Sequence, residues 1–313
     1  MRAFVTDGDG RAWELPAAQS WELEFGTGTP CDSFFLRTPW AFGQETPPRD
    51  WAGFYAEHEG ARVFTGVVDE CEVSLDSRGC VLEISGRGMA ALLLDNEAVG
   101  QDYQTAALAD ILEDHVVPYG IGTVGGAPGA RLSGFRVDTG SSEWTVLEEF
   151  LRGCALPEPR FDPWGRLVLE QETGERLVLD DSSPIQALNR REKRYGVLSE
   201  VLVRERYSGR VCSVKNERFC AAAGRARRVL TMPGRADAGD MERSGREQLE
   251  RSARGSREVE VTLPAPFYAL PGRGVELART GCDANGAWRV RRSVCGMDET
   301  GYWTRLVLWP EEE

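Results

Sequence analysis

The sequence predicts a mainly β fold of the α+β class, in which two strand-rich blocks flank a small α/β segment. Three observations carry this expectation. Short runs with alternating apolar residues are punctuated by Gly, Asp and Pro turns. Apolar spacing turns helical only between about residues 90 and 180. Short β-type runs then return to the C-terminus. At 313 residues the chain exceeds what one core usually organises, so two or three domains are expected. The changes of texture place them at 1–92, 93–180 and 181–313.

The elements follow in order. Arg2–Thr6 and Ala12–Leu15 flank Asp7-Gly8-Asp9-Gly10, a hairpin signal. Ser20–Phe25 alternates and stops at Gly26-Thr27-Gly28. Arg62–Val68, Glu70–Asp76 and Cys80–Ser85 read as a meander with a turn at each junction, the second at Asp76-Ser77-Arg78-Gly79. Met89–Leu94 is a short apolar helical turn. Thr105–Val116 carries Ala106, Leu108, Ile111 and Leu112 at helical spacing and is closed by Pro118. Ser141-Ser142 offers cap oxygens to a second helix with the stripe Val146, Leu147, Phe150, Leu151 and Cys154. Arg160-Phe161 and Arg166–Glu170 flank the turn Asp162-Pro163-Trp164-Gly165. Strands are then expected at Gly196–Glu205, Arg210–Lys215, Arg227–Met232, Glu258–Leu263, Gly274–Arg279, Ala287–Val294 and Tyr302–Trp309, with one helix over Asp237–Ala253. The two strand-rich blocks read as a loose duplication. The Pro- and Trp-rich segment Thr38–Ala52 fits no element.

Composition narrows the function. The net charge of −13 is uneven: residues 1–180 hold 13 Arg against 31 acids, whereas 181–260 hold 18 Lys and Arg against 12 acids. An acidic body disfavours phosphate neutralisation, so no sequence-specific nucleic-acid partner is expected. The basic stretch reads as a solvated face or as a contact for acidic neighbours in one assembly. No apolar run approaches a membrane span, and Met1–Asp7 has no signal-peptide core, so synthesis in the cytoplasm is expected. The eight cysteines include no C-x-x-C pair, and a hairpin at residues 71–80 would put Cys80 opposite Leu75 or Ser77, out of reach of Cys71. Free thiols in a reducing compartment are the reading.

Gly120-Ile121-Gly122-Thr123-Val124-Gly125 fits G-x-G-x-x-G, but it follows a helix and precedes Pro128, so a flexible loop is expected. Acid pairs such as Asp180-Asp181 and Glu148-Glu149 could serve a glycan hydrolase, yet with 50 acids such neighbours arise by chance. His58, in Ala56–Gly60, reads as an exposed turn residue and His115 as a helix-end residue; no G-x-S-x-G accompanies them. The nine tryptophans, among them Trp13, Trp21, Trp40, Trp51, Trp288, Trp303 and Trp309, suit strand packing or an interface. They also leave open a β-sandwich carbohydrate-binding or adhesion module. No catalytic, cofactor-binding or metal-ligating residue is singled out, and neither an enzyme nor a cofactor is expected.

Several segments, in collinear order, resemble the baseplate hub of contractile tails, the Mu-type hub and late control protein D family. Phe64-Thr65-Gly66-Val67-Val68 is similar to that family's strand before its Ser-Gly-Arg element, which Ser85-Gly86-Arg87 and the following Met89–Asn96 resemble. Tyr119-Gly120-Ile121 is similar to the end of its insert helix, and Asp162–Leu167 to its insert hairpin. Pro271–Val275, Trp288-Arg289-Val290 and Asp298–Leu306 resemble its closing strands, with Trp288 where the family has Tyr. The resemblance implies two tube-like β-barrels, 1–92 and 181–313, separated by an α/β insert at 93–180. It implies a homotrimer that presents six barrels and adapts a sixfold tail tube to a threefold spike. Its partners would be the tube protein and spike or tail-tip proteins. Its place would be the bacterial cytoplasm during assembly and then the baseplate of a virion or phage-like particle. The acidic residues of 1–180 would suit a lumen through which DNA or an effector slides without sticking.

Overall fold

A computed structural model describes residues 1–27, 31–41, 51–77, 79–170, 174–232, 234, 236–267 and 269–311. The fold is mainly β, built on one 13-stranded sheet that rolls up twice, with two smaller α/β modules attached. Residues 42–50 of the Pro- and Trp-rich segment lie outside the described residues. Of that segment's ends, Trp51 is buried in the first core and its ring lies 6.2 Å from that of Trp40.

The first roll runs in space as Ser20–Gly26, Ser33–Pro39, Gly79–Gly88, Ala61–Asp76, Gly53–His58 and Arg2–Thr6, with Ala12–Glu14 at its edge. Alternate residues of these strands are apolar and point to one face, where Val5, Leu23, Leu36, Phe54, Phe64, Leu82 and Ile84 are buried. The curl follows from which rings meet. Phe34 and Phe54 lie three strands apart, and a flat sheet would separate them by about 14 Å; their rings stack with centroids at 3.8 Å. Gly86 makes room for this stack, because a Cβ there would lie 2.6 Å from the Phe34 ring and 2.0 Å from the Val67 carbonyl oxygen.

The second roll repeats the order with new strands: Ala187–Glu192, Arg257–Leu263, Gly301–Pro310, Gly286–Asp298, Gly274–Ala278 and Leu177–Asp180. Chain order matches as well, strand for strand. One pairing differs. Arg2–Thr6 lies antiparallel to Gly53–His58, whereas Leu177–Asp180 runs parallel to Gly274–Ala278. The second core is aliphatic, with Val259, Val261, Leu263, Val275, Leu306 and Leu308 buried around Trp288.

Between the rolls, helices Ala90–Leu94, Leu108–His115 and Glu143–Gly153 enclose a third core with Leu93, Ile111, Leu147, Phe150 and Leu167. The Ser142 hydroxyl accepts the Thr145 N–H at 3.2 Å and starts the last of these helices. A second module interrupts the second roll between Ala187–Glu192 and Arg257–Leu263. Its strands Glu200–Glu205, Val211–Lys215 and Arg227–Met232 pair only with one another and pack on helix Ala238–Ala253 through Val201, Val203, Met241 and Leu249. In the first roll the corresponding connection is only residues 27–32.

Several elements differ from the sequence reading. Thr105 and Ala106 belong to strand Gln101–Ala107, paired with Ser133 and Leu132, so the helix starts at Leu108. No turn separates Val68 from Glu70: the strand continues through a bulge at Asp69, whose carboxylate binds the Arg87 guanidinium at 2.7 Å. Ala287–Val294 extends to Asp298 because its far half finds a second partner strand. Residues 181–313 hold a further short helix, Glu217–Ala221, where the Asn216 side chain accepts the Phe219 N–H at 3.0 Å. Among the described residues no helix is long and apolar enough to cross a membrane.

Candidate assembly surface

The two rolls are one sheet because a single strand serves both. The first half of Gly286–Asp298 pairs with Gly274–Ala278; beyond a bulge after Val290, Arg292–Met297 pairs with Gly26–Trp21. This junction is dry at its centre, with Cys295 fully buried and its thiol pushed up to about 12 by burial. At its rim the Arg292 guanidinium donates to Glu24 at 2.7 Å.

Two other strand edges have the same construction and no partner among the described residues. Ala61–Asp76 loses its neighbour Gly53–His58 after the pair Gly53↔Val67, so one edge from Asp69 onward is open and Leu75 is 62% exposed. Ala187–Glu192 bonds Arg257–Leu263 on one side and nothing on the other. Its Arg190, Arg191 and Glu192 are exposed.

The modules are clamped to the second roll around a charged groove of about 500 Å³. Glu158 takes the guanidiniums of Arg254, at 2.8 Å, and Arg291. Burial opposes the Glu158 carboxylate, but those two cations outweigh it and hold its pKa below the usual range. Glu311 joins Arg176 at 2.5 Å and Arg289 at 2.6 Å. These side chains satisfy one another, and the groove reads as a mortise between units.

The residues with possible chemistry are dispersed. Gly120–Gly125 contains strand Thr123–Val124, parallel to Leu167–Val168, and opens no helix; the loop expected there is partly a sheet. Asp180 accepts from the Ser182 N–H and hydroxyl, whereas Asp181 accepts from the Thr280 N–H at 3.0 Å, so the two acids serve separate turns. Glu149 pairs with Arg152. His58 is no exposed turn residue: it ends a strand and packs on Phe267, ring centroids 5.1 Å apart. Trp21, Trp51, Trp144 and Trp288 are buried in three separate cores. The register Leu75↔Cys80 and Cys71↔Ile84 keeps those two cysteines apart, and all eight cysteines are free thiols.

One polar cluster escaped the sequence. His115 is 2% exposed, with Nδ1 2.5 Å from Glu143 Oε2 and Nε2 3.1 Å from the Tyr103 hydroxyl. Tyr119 donates to Glu143 Oε1 at 2.9 Å and Tyr103 to Asp114 at 2.6 Å. Burial, and then Asp114, push the Tyr103 phenol above its usual range. The cluster ties helix Leu108–His115 to helix Glu143–Gly153, and only His115 at a helix end hinted at it.

No protein-family model matches the chain, and comparison with curated proteins likewise gives no match. Solved structures do match. The 43 kDa tail protein of prophage MuSo2 from Shewanella oneidensis aligns with a TM-score of 0.82 at 16% identity, over 99% of this chain and 98% of that one. A tail protein from Neisseria meningitidis MC58 aligns at 0.78 with 16% identity, over 99% and 96%. The E. coli c3393 protein, a component of the type VI secretion system, aligns at 0.56 with 12% identity, over 95% and 74%. The chain has the mainly β fold of phage tail proteins.

Proposed function

We propose that this chain is a structural hub of a phage tail or phage-like contractile particle, three copies of which form a ring. The carrying observation is the duplication: two rolled sheets with identical strand order, fused edge to edge, within a fold shared over its whole length with prophage tail proteins. Three such chains present six similar units, which suits an adaptor between a sixfold tube and a threefold spike. The proposed partners are a tube protein on one face and a spike or tail-tip protein on the other, and the proposed place is the particle's baseplate. The proposed units are 1–92 and 181–313 as the two barrels, the latter joined by strand Leu177–Asp180 and carrying the inserted module, with the rest of 93–180 between them. The role is mechanical, and no reaction belongs to it.

Light scattering of the purified protein over a concentration series tests the reading. A mass of three times 34.6 kDa is expected, with six-lobed rings by electron microscopy. A monomer at every concentration sinks it.

A further inference from the structure

The junction inside the chain indicates how one chain meets the next. We propose that the open half of strand Ala61–Asp76 adds, antiparallel, to the free edge of Ala187–Glu192 in a second copy of this chain. The proposal deepens the ring reading and rests on it.

The two long hairpins are counterparts. Asp76↔Gly79 closes one and Asp298↔Gly301 the other, and each first strand shifts register once, after Val68 and after Val290. Counting back from the turns sets Glu70 against Arg292, Glu72 against Val294 and Leu75 against Met297. The receiving strands are counterparts too. Trp21 reaches Ile84 through Leu36, as Leu188 reaches Leu306 through Val261, so Glu24 corresponds to Arg191 and Gly26 to Lys193. Within the chain the far half of the second hairpin lies on the edge of the first roll. The far half of the first hairpin and the edge of the second roll are the same pair of surfaces, left over. A long exposed edge is a template for another strand, and soluble chains cover such edges.

Transposing the internal register places Glu70 opposite Lys193, Glu72 opposite Arg191 and Leu75 opposite Leu188. Each pair matches, two by opposite charge and one by apolarity. Glu70, Glu72, Arg191 and Lys193 are exposed and make no ion pair among the described residues. The signs are also reversed relative to the internal junction, where the hairpin supplies Arg292 and the edge supplies Glu24. Reversal gives specificity. A first-roll hairpin on a first-roll edge would set Glu72 directly against Glu24, with Glu70 diagonal to Glu24, and like charges repel. Alternation of first and second rolls satisfies both of these edges, and a head-to-tail contact of this kind gives a ring where its rotation closes.

The register also puts Cys71 opposite Glu192, and directly opposed residues of a ladder have Cα atoms about 4.5–5.5 Å apart, within disulfide reach. Glu192→Cys in the full chain, oxidised with copper phenanthroline, should give covalent dimers and trimers on a non-reducing gel. Adding Cys71→Ser should abolish them. Separately, Glu70→Arg with Glu72→Arg should raise the dissociation constant of the assembly by about tenfold or more, with unchanged circular dichroism. Arg191→Glu with Lys193→Glu in the same chain should restore it. A trimer by light scattering that gives no Cys71-dependent cross-link, or that ignores the charge reversal, overturns this junction and leaves the ring. A strict monomer overturns both.

Discussion

The two rolled sheets share strand order, hairpin turns and bulge positions, yet they differ wherever their surroundings differ. The first is filled by stacked rings, Phe34 on Phe54 with Phe25 and Phe64 edge-on. The second is filled by Val and Leu. The far half of the second hairpin is buried, with Val294 3% exposed, while its counterpart in the first ends at Leu75, 62% exposed. Topology is therefore set by the ladder and the turns, which both blocks keep. Residue chemistry at each position is set by what lies across the next edge.

The sharpest break comes from one substitution made twice. Val294→Lys puts an unpaired charge into the dry junction and should cost more than about 4 kcal/mol. Glu72→Lys, at the matching position of the first hairpin, should change the stability of the isolated chain by less than about 0.5 kcal/mol. Denaturant unfolding at low protein concentration measures both, and equal losses would mean that the hairpins are not counterparts.

Core truncation probes the comparison next. Phe54→Ala should destabilise by about 3–5 kcal/mol and Leu306→Ala by about 2–5 kcal/mol, with the stacked partner Phe34 pushing the first toward its upper end. Because Gly286–Asp298 belongs to both rolls, each substitution should lower the same unfolding transition. Two separate transitions, each moved by one variant, would show that the shared strand does not couple them.

Much of this was legible in the sequence, for reasons that are local. The hairpin turn at Asp76 and the strand Arg227–Met232 announced themselves through turn residues and β-branched runs. Ser142 announced a helix start through its cap. The collinear resemblance pointed to tail hubs, and the fold agrees with tail proteins. What stayed hidden depends on partners far away in sequence. Ala187–Glu192 has only Ala187 and Leu188 as apolar residues and shows no alternation; its ladder to Arg257–Leu263 makes it a strand. Thr105 and Ala106 have helical spacing, but Ser133 and Leu132 claim them for a sheet. His115 and Glu143 meet because two helices pack, which no spacing encodes. The assembly surface was invisible because an open edge is defined by the absence of a neighbour, and sequence alone does not say where a ladder stops.

The smallest expected effect concerns the tight connection that only the first roll has. Where the second roll inserts a module, Asp32 closes a short loop: its carboxylate accepts the Gly26 N–H at 2.8 Å and its carbonyl accepts the Gly88 N–H at 2.7 Å. Burial pushes this carboxyl up to about 7; the Gly26 N–H works the other way, and Glu24 adds to the rise. A folded-state value above the unfolded one, about 3.9, means that the native state binds the extra proton. Its stabilising contribution is complete below that unfolded value and is lost as pH rises through about 7. Asp32→Asn keeps an acceptor for Gly26 without a charge, so the variant should gain on the parent between those two values and hold a constant advantage above them. Denaturant midpoints collected from pH 4 to 8.5 would show it. A parent and a variant with parallel profiles would mean that the loop leaves Asp32 solvated, and that the short connection of the first roll stores no proton.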